Sequence, residues 1–391
     1  MDFELTQEQQ LVQRSAREWL QECYTHTARS RSVHRDGGSA QVWAQFAELG
    51  WLALPLDEAF GGLAGDMLMA GLLAEELGRH LVVEPYVAQN LLAAKAIDLA
   101  GSEAQRAEWL PGIAGGRLRV AWAHHEPGDP LGHARRRFCA TAQADGWRLT
   151  GCKHLVRGAT SADAWVVSAA VDGRPDIELL FLVPSETMGI GMESYATTDD
   201  GFASDLHFKQ IRIEHRQVLG AAIGDTHVLT GRLVAEGTVA SCWYALGAMD
   251  NALQLTVRHT QERRQFGQPI AQFQVVQHRI AEMTVQLAEA RAACEIAALG
   301  LSQAVTTAEA QAIAAAAKNK VARAAQLVGQ DCIQLHGAMG VCEELPIAAI
   351  FRALLCFGQE GGTAEAHAAL LGAYGMQMRS YAFSRTLGAE V

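Results

Sequence analysis

The most chemically loaded segment of the sequence is RHTQERRQFGQPIAQFQVVQHRIAEM, Arg258 to Met283, in which clustered arginines precede Phe266-Gly267-Gln268-Pro269. Arginines at a helix end ordinarily complement the negative C-terminal dipole. That role alone does not call for Phe-Gly with glutamines on either side. A pyrophosphate, with two negative charges and many acceptor oxygens, is well met by a guanidinium fork, and glycine lets the backbone approach it closely. The segment therefore reads as a phosphate-binding turn. A second stretch, CFGQEGGTAEAH from Cys356 to His367, places Glu360 among glycines. It is either a surface loop or the seat of a carboxylate that moves protons, since a desolvated Glu has its pKa raised toward neutrality. His124 and His125 are adjacent in WAHHEPGD. Neighbouring side chains in a strand point apart, so they read as a satisfied or exposed pair rather than a joint site.

Helices must position these groups at both ends of the chain. Thr6 and Gln9 stand in capping-box spacing, and Leu11, Val12, Ala16, Trp19 and Leu20 recur at helical intervals. Further helical patterns run through MAGLLAEELG and AQNLLAAKAIDLAG, each ending on a glycine that reads as a C-cap. From about residue 119 to 222 the runs WRLTG, AWVVSAAV, ELLFLVP and LHFKQIRI alternate with turn signals, which predicts strands. Helical periodicity then returns, with Val276, Ile280, Met283, Leu287, Ala290 and Cys294 on one stripe, followed by an alanine-rich stretch that lets helix axes approach. The fold class expected is α+β: an N-terminal helical domain (1–118), a central antiparallel β-barrel or sandwich domain (119–222) and a C-terminal four-helix bundle (223–391).

Among 391 residues, 43 Asp and Glu outweigh 32 Lys and Arg, giving a net charge of -11. Such a surface does not suit nucleic acid, and the only basic cluster outside the arginine turn is HARRRF. The eight cysteines follow neither CxxC nor Cys/His zinc spacing, which predicts free thiols in a reducing cytoplasm and no metal. The N-terminus lacks a basic start and an apolar core, and no run of about 18 apolar residues occurs, so a soluble protein is expected. GIGMES lacks the third glycine of a dinucleotide fingerprint, and no Walker A, GxSxG or HExxH motif is present.

The arginine segment resembles the signature of the acyl-CoA dehydrogenase flavoproteins. LPLDEAFGGLAGDMLMAGLLAEELG resembles that family's N-terminal helical segment and QLHGAMGVCEELP its C-terminal Q-x-x-G-G-x-G turn. More narrowly, YATTDDGFASDLHFKQIRIEHRQVLG and LGAMDNALQLTVRHTQERRQFG resemble the small subunits of paired dehydrogenases of the pimeloyl-CoA type. The resemblance implies FAD bound between two subunits, one of which donates Arg263 to the pyrophosphate with Gln265 and Phe266 beside it, and Gln334 and Gly337 to the adenosine end. Ala338 stands where the family usually has a second glycine, and His259 where it has tyrosine. Glu126 and Thr363 are also implied near the cofactor. On the ring side, HHEPGDPLG keeps Glu126 and Pro127 of T-E-P-x-A-G-S-D but loses Gly-Ser-Asp, while KHLVRG puts Leu155 and Arg157 where K-x-W-I-T-N has Trp and Thr.

The family's Y-E-G-T-S glutamate removes the α-proton of an acyl-CoA. Counting from Arg352 to Thr363 places Gly361 at that position and Glu360 one residue early. Some relatives carry the base twenty-six residues before the pyrophosphate arginine, which is Gly237 here, with Glu236 adjacent. One residue rotates a helix by about 100°, so Glu236 faces away unless the helix is offset. The resemblance thus implies a base-poor subunit of a heteromeric acyl-CoA dehydrogenase working with a paralogous partner and an electron-transfer flavoprotein. The alternatives are a homo-oligomeric dimer or tetramer using Glu360 as base, a non-redox lyase acting on a CoA thioester, and a structural or assembly subunit. Trp243 and Tyr244 read either as core or as residues narrowing the acyl cavity.

Overall fold

The computed structural model describes residues 5–33 and 38–387, so the outermost positions of the expected first and last domains lie outside the described residues. The N-terminal helices are α1 (Gln7–Cys23), α2 (His26–Ser32), α3 (Ala40–Glu48) and α4 (Met67–Arg79). A wider-wound segment, Val87–Ala94, then runs into α5 (Lys95–Ala100), and α6 (Glu103–Ala114) follows. The predicted capping box is formed: the Gln9 amide donates to the Thr6 hydroxyl, and the Gln9 side chain accepts from the Thr6 amide. Gly101 is the C-cap of α5, as expected.

Gly78 is not the cap expected of it. It lies inside α4, whose C-cap is His80. A Cβ on Gly78 would come within 1.9 Å of the Tyr244 carbonyl oxygen, and one on Gly247 within 1.8 Å of the Glu75 oxygen. The two glycines form the crossing between α4 and the long helix α7 (His227–Glu262), so their role is close approach rather than helix termination.

The central strands are β1 (Val120–Ala123), β2 (Cys139–Gln143), β3 (Gly146–Arg157), β4 (Ala164–Val171), β5 (Arg174–Pro184), β6 (Gly191–Ala196), β7 (Phe202–Ile213) and β8 (Val218–Leu219). They form one sheet in the order β6-β7-β3-β2-β4-β5-β8, with β1 also on β4. The pairings are antiparallel except that β1 and β2 each lie parallel to β4, which makes the sheet mixed rather than wholly antiparallel. β4 is buried along its whole length, and this explains why AWVVSAAV reads as a continuous apolar run.

After α7 the chain turns through a hairpin, β9 (Arg264–Gln265) and β10 (Gln268–Pro269), into α8 (Gln274–Gln303), α9 (Thr307–His336), α10 (Pro346–Gln359) and α11 (Ala364–Leu387). The predicted stripe on α8 is the packed face: Met283, Ala290 and Cys294 are fully buried, with Ile280 and Leu287 against the same core. Alanines of α9 fill the contact with α7. Among the described residues no helix is long and apolar enough to cross a membrane, and no group of three or more His, Cys, Asp or Glu is placed to hold a metal. All eight cysteines are free.

Candidate active site

A cavity of about 230 Å³ opens where the three parts of the chain meet. Its walls come from the wide-wound helix (Val87, Ala88, Leu92), the chain after β1 (His125, Leu131), the end of β3 (Leu155, Arg157), the β6–β7 turn, α7 (Gly237, Thr238, Ser241, Tyr244) and the end of α10 (Phe357, Glu360). Tyr244 narrows it, held by a hydrogen bond from its hydroxyl to the Val82 carbonyl. Trp243 is wholly buried in the bundle core, one residue round the helix.

The dominant feature is an ion pair spanning 203 residues of sequence. Arg157 Nε donates to Glu360 Oε1 at 2.7 Å and Nη2 to Oε2 at 2.6 Å, while Nη2 also reaches Asp199 Oδ2 at 2.8 Å. Local structure aims the guanidinium inward. The β3–β7 register shifts between Lys153 and Val156, and Leu155 within that bulge takes φ +53°. Burial by itself pushes the Glu360 carboxyl up, but the charge and hydrogen bonds of Arg157 outweigh it and hold the group below the usual carboxylate range. Arg157 is correspondingly held well above its ordinary value, against the pull of desolvation.

Lys318 fixes the backbone of the same turn. Its buried ammonium donates to the carbonyls of Phe357 and Glu360 at 2.5 and 2.9 Å and lies 3.5 Å from the Phe357 ring centroid. Desolvation lowers its pKa to about 8. Gly361 and Gly362 follow at φ +70° and +97°, a conformation that disfavours any side chain at the counted base position. His367 pins the turn from below through a hydrogen bond of Nε2 to the Gly361 carbonyl.

The other expected carboxylates are engaged elsewhere. Glu236 pairs with Lys95 at 2.6 Å and does not line the cavity, whereas its neighbour Gly237 does. Glu126 gives one oxygen to buried Lys153 at 2.7 Å and the other to the amides of Arg137 and Phe138. It anchors the loop between β1 and β2 rather than facing the cavity. Thr363 accepts from the Ala366 amide at the start of α11.

The residues expected at a cofactor's nucleotide end gather at a different place, the far end of the bundle. Phe266 is 92% exposed at the tip of the β9–β10 hairpin, with φ +53° and Gly267 at +80°. Such a two-residue turn with positive φ at both positions matches strand twist. Arg263 and Gln265 are likewise exposed, and Gln334 and Gly337 lie at the end of α9. His259 and His336 join the two halves of this patch by stacking at 4.3 Å and 21°. Arg263 and Phe266 present a cation and an aromatic face outward, and a Cβ on Gly337 would meet nothing within 4 Å. The patch thus offers a guanidinium, an aromatic face and an open glycine on the outer surface.

Sequence reasoning missed the Arg157–Glu360–Asp199 cluster, the Lys318 cap and the cavity position of His125. One signal was available: Arg157 and Glu360 both stand out of the family pattern, an extra cation and a misplaced anion. Their complementarity was the clue to contact.

Profiles of the acyl-CoA dehydrogenase N-terminal and C-terminal domains match residues 6–117 and 226–376. The chain is 26% identical over 377 residues to the acryloyl-CoA reductase (NADH) of Anaerotignum propionicum, covering 94% of each. It is 29% identical over 386 residues to the 3-sulfinopropanoyl-CoA desulfinase of Paraburkholderia xenovorans, covering 93% of this chain and 94% of that one. Among solved structures, a variant of the Tcur3481-Tcur3483 steroid ACAD superposes with a TM-score of 0.85 at 28% identity, over 95% of this chain and 99% of the other. Two domain matches from one family, and relatives aligned over nearly the full length, agree with the layered fold. The chain belongs to the acyl-CoA dehydrogenase superfamily of FAD-dependent flavoenzymes.

Proposed function

We propose that this chain is the base-poor subunit of a two-component acyl-CoA dehydrogenase, acting in α,β-desaturation of an acyl-CoA. It lends Arg263, Gln265, Phe266, Gln334 and Gly337 to FAD bound at the junction with a paralogous partner. That partner carries the complete ring pocket and the glutamate base. Electrons leave through an electron-transfer flavoprotein. When bound, FAD supplies the acceptor for the hydride leaving the β carbon of the thioester. The guanidinium of Arg263 neutralises the pyrophosphate, and the Phe266 face excludes water from it.

One observation carries the reading: Glu360, the carboxylate adjacent in sequence to the counted base position, is clamped by Arg157. A base must be near its reaction pH and free to reach the proton. Glu360 is neither. The Tcur3481-Tcur3483 steroid ACAD is named for two components, which is consistent with a paired assembly. A non-redox reading draws support from the desulfinase relative at 29% identity.

Purification alone and after co-expression with candidate partner chains, with flavin counted by absorbance, tests the proposal. Flavin is expected only in the co-purified complex, and Arg263→Ala in this chain is expected to lower its occupancy. Stoichiometric flavin in the lone chain that is bleached by acyl-CoA would reject it. Flavin retained but not bleached by thioesters would favour the lyase.

A further inference from the structure

His124 and His125 have opposite fates. The His124 ring is buried and satisfied at both nitrogens, by the Ser168 hydroxyl at 2.9 Å and the Gly132 carbonyl at 2.8 Å. His125 lines the cavity, and neither of its ring nitrogens has a hydrogen-bond partner among the described residues. Space for the ring is reserved by Gly132, where a Cβ would come within 3.1 Å of His125 Cε1. The same cavity receives Arg157, whose Nη1 is not engaged by either carboxylate.

We propose that His125 is a proton acceptor toward acyl thioesters bound in this chain's own cavity, giving it a redox-neutral activity separate from desaturation. Thioester as the ligand class rests on the function proposed above; the residue assignment does not. The neutral imidazole takes a proton from Cα, and the C–H electron pair moves into the thioester carbonyl as an enolate whose oxygen faces Arg157 Nη1. Return of a solvent-derived proton from the imidazolium regenerates the thioester with its α-hydrogen exchanged. If the β carbon bears a leaving group, the same electron pair expels it and forms the C=C bond. No oxidant enters either course. Burial keeps the imidazole neutral, its pKa lowered chiefly by desolvation. Glu360 and Asp129 pull that value up, Arg136 and Lys153 pull it down, and His124 and His133 complete the titratable groups around it.

The test is loss of deuterium from α-deuterated butyryl-CoA into water, followed by mass spectrometry on the full chain, with butyryl-CoA binding measured by calorimetry. Wild type is expected to bind and exchange, with the rate rising to a plateau below neutral pH. His125→Gln should bind equally and exchange about 100-fold or more slowly. Added imidazole should restore exchange to His125→Ala, which keeps the assignment testable if one variant is poorly folded. Binding without exchange in wild type, or exchange at the wild-type rate in His125→Gln, would overturn this inference alone. Failure of the lone chain to bind the thioester would overturn this inference and leave the proposed function, in which the partner holds the substrate, untouched.

Discussion

At the residue scale one guanidinium, that of Arg157, faces the two carboxylates of Glu360 and Asp199. Removing Arg157 leaves Glu360 and Asp199 as like charges beside each other, with only the weaker influence of Lys318 on Glu360 to offset them. Breaking a fully buried pair costs roughly 3–5 kcal/mol; because Glu360 keeps part of its surface open to the cavity, Arg157→Met is expected to cost about 1–3 kcal/mol. The pH dependence has a definite sign. Glu360 is depressed in the folded state, so its pairing stabilises above the unfolded carboxylate pKa and is lost as pH falls through the folded value. Thermal melts should therefore show the gap between wild type and Arg157→Met widest at neutral pH and closing in acid. A gap independent of pH would mean that lost packing, not charge, sets the cost. The anomaly at each of these residues was legible in the sequence. Their contact was not, because it joins the end of β3 to the end of α10 across 203 positions. Local periodicity carries no information about such a pair. His125 was read with His124 as one satisfied or exposed pair; the structure separates them, His124 satisfied and His125 open to the cavity.

At the element scale, periodicity located the long helices and the strands β3, β4, β5 and β7, and it read the packed stripe of α8 correctly. The short strands β1, β2, β6 and β8 escaped, since two to six residues give too little alternation to count. Gly78 was misread because a glycine near a helix end looks the same whether it caps the helix or lets another helix approach. Only the partner Gly247 distinguishes the two cases. Gly247→Ala gives a direct check. Alanine improves helix propensity by about 1 kcal/mol, but its Cβ would sit 1.8 Å from the Glu75 oxygen and force α4 from α7. Overpacking of this kind typically costs roughly 1–3 kcal/mol, and backbone contact places it toward the upper end, so urea unfolding should show a net loss of about 1–2 kcal/mol. A stabilised variant would show that the crossing yields easily.

At the scale of the whole molecule, two sites of different character occupy separate parts of the chain. The cavity is enclosed by the chain's own three regions, and its polar groups are largely committed to one another. The patch around Arg263 and Phe266 faces outward, with Arg263 exposed and Phe266 92% exposed apart from an edge contact with Phe273. A protein that completes a neighbour's cofactor site needs the second arrangement intact and can let the first diverge. The central claim is that no carboxylate in this chain takes the α-proton during desaturation. It is tested most directly by adding acyl-CoA anaerobically to the purified lone chain supplied with FAD and following the flavin band. The account expects no bleaching with any chain length tried, whereas stoichiometric bleaching that disappears in Glu360→Gln would contradict it.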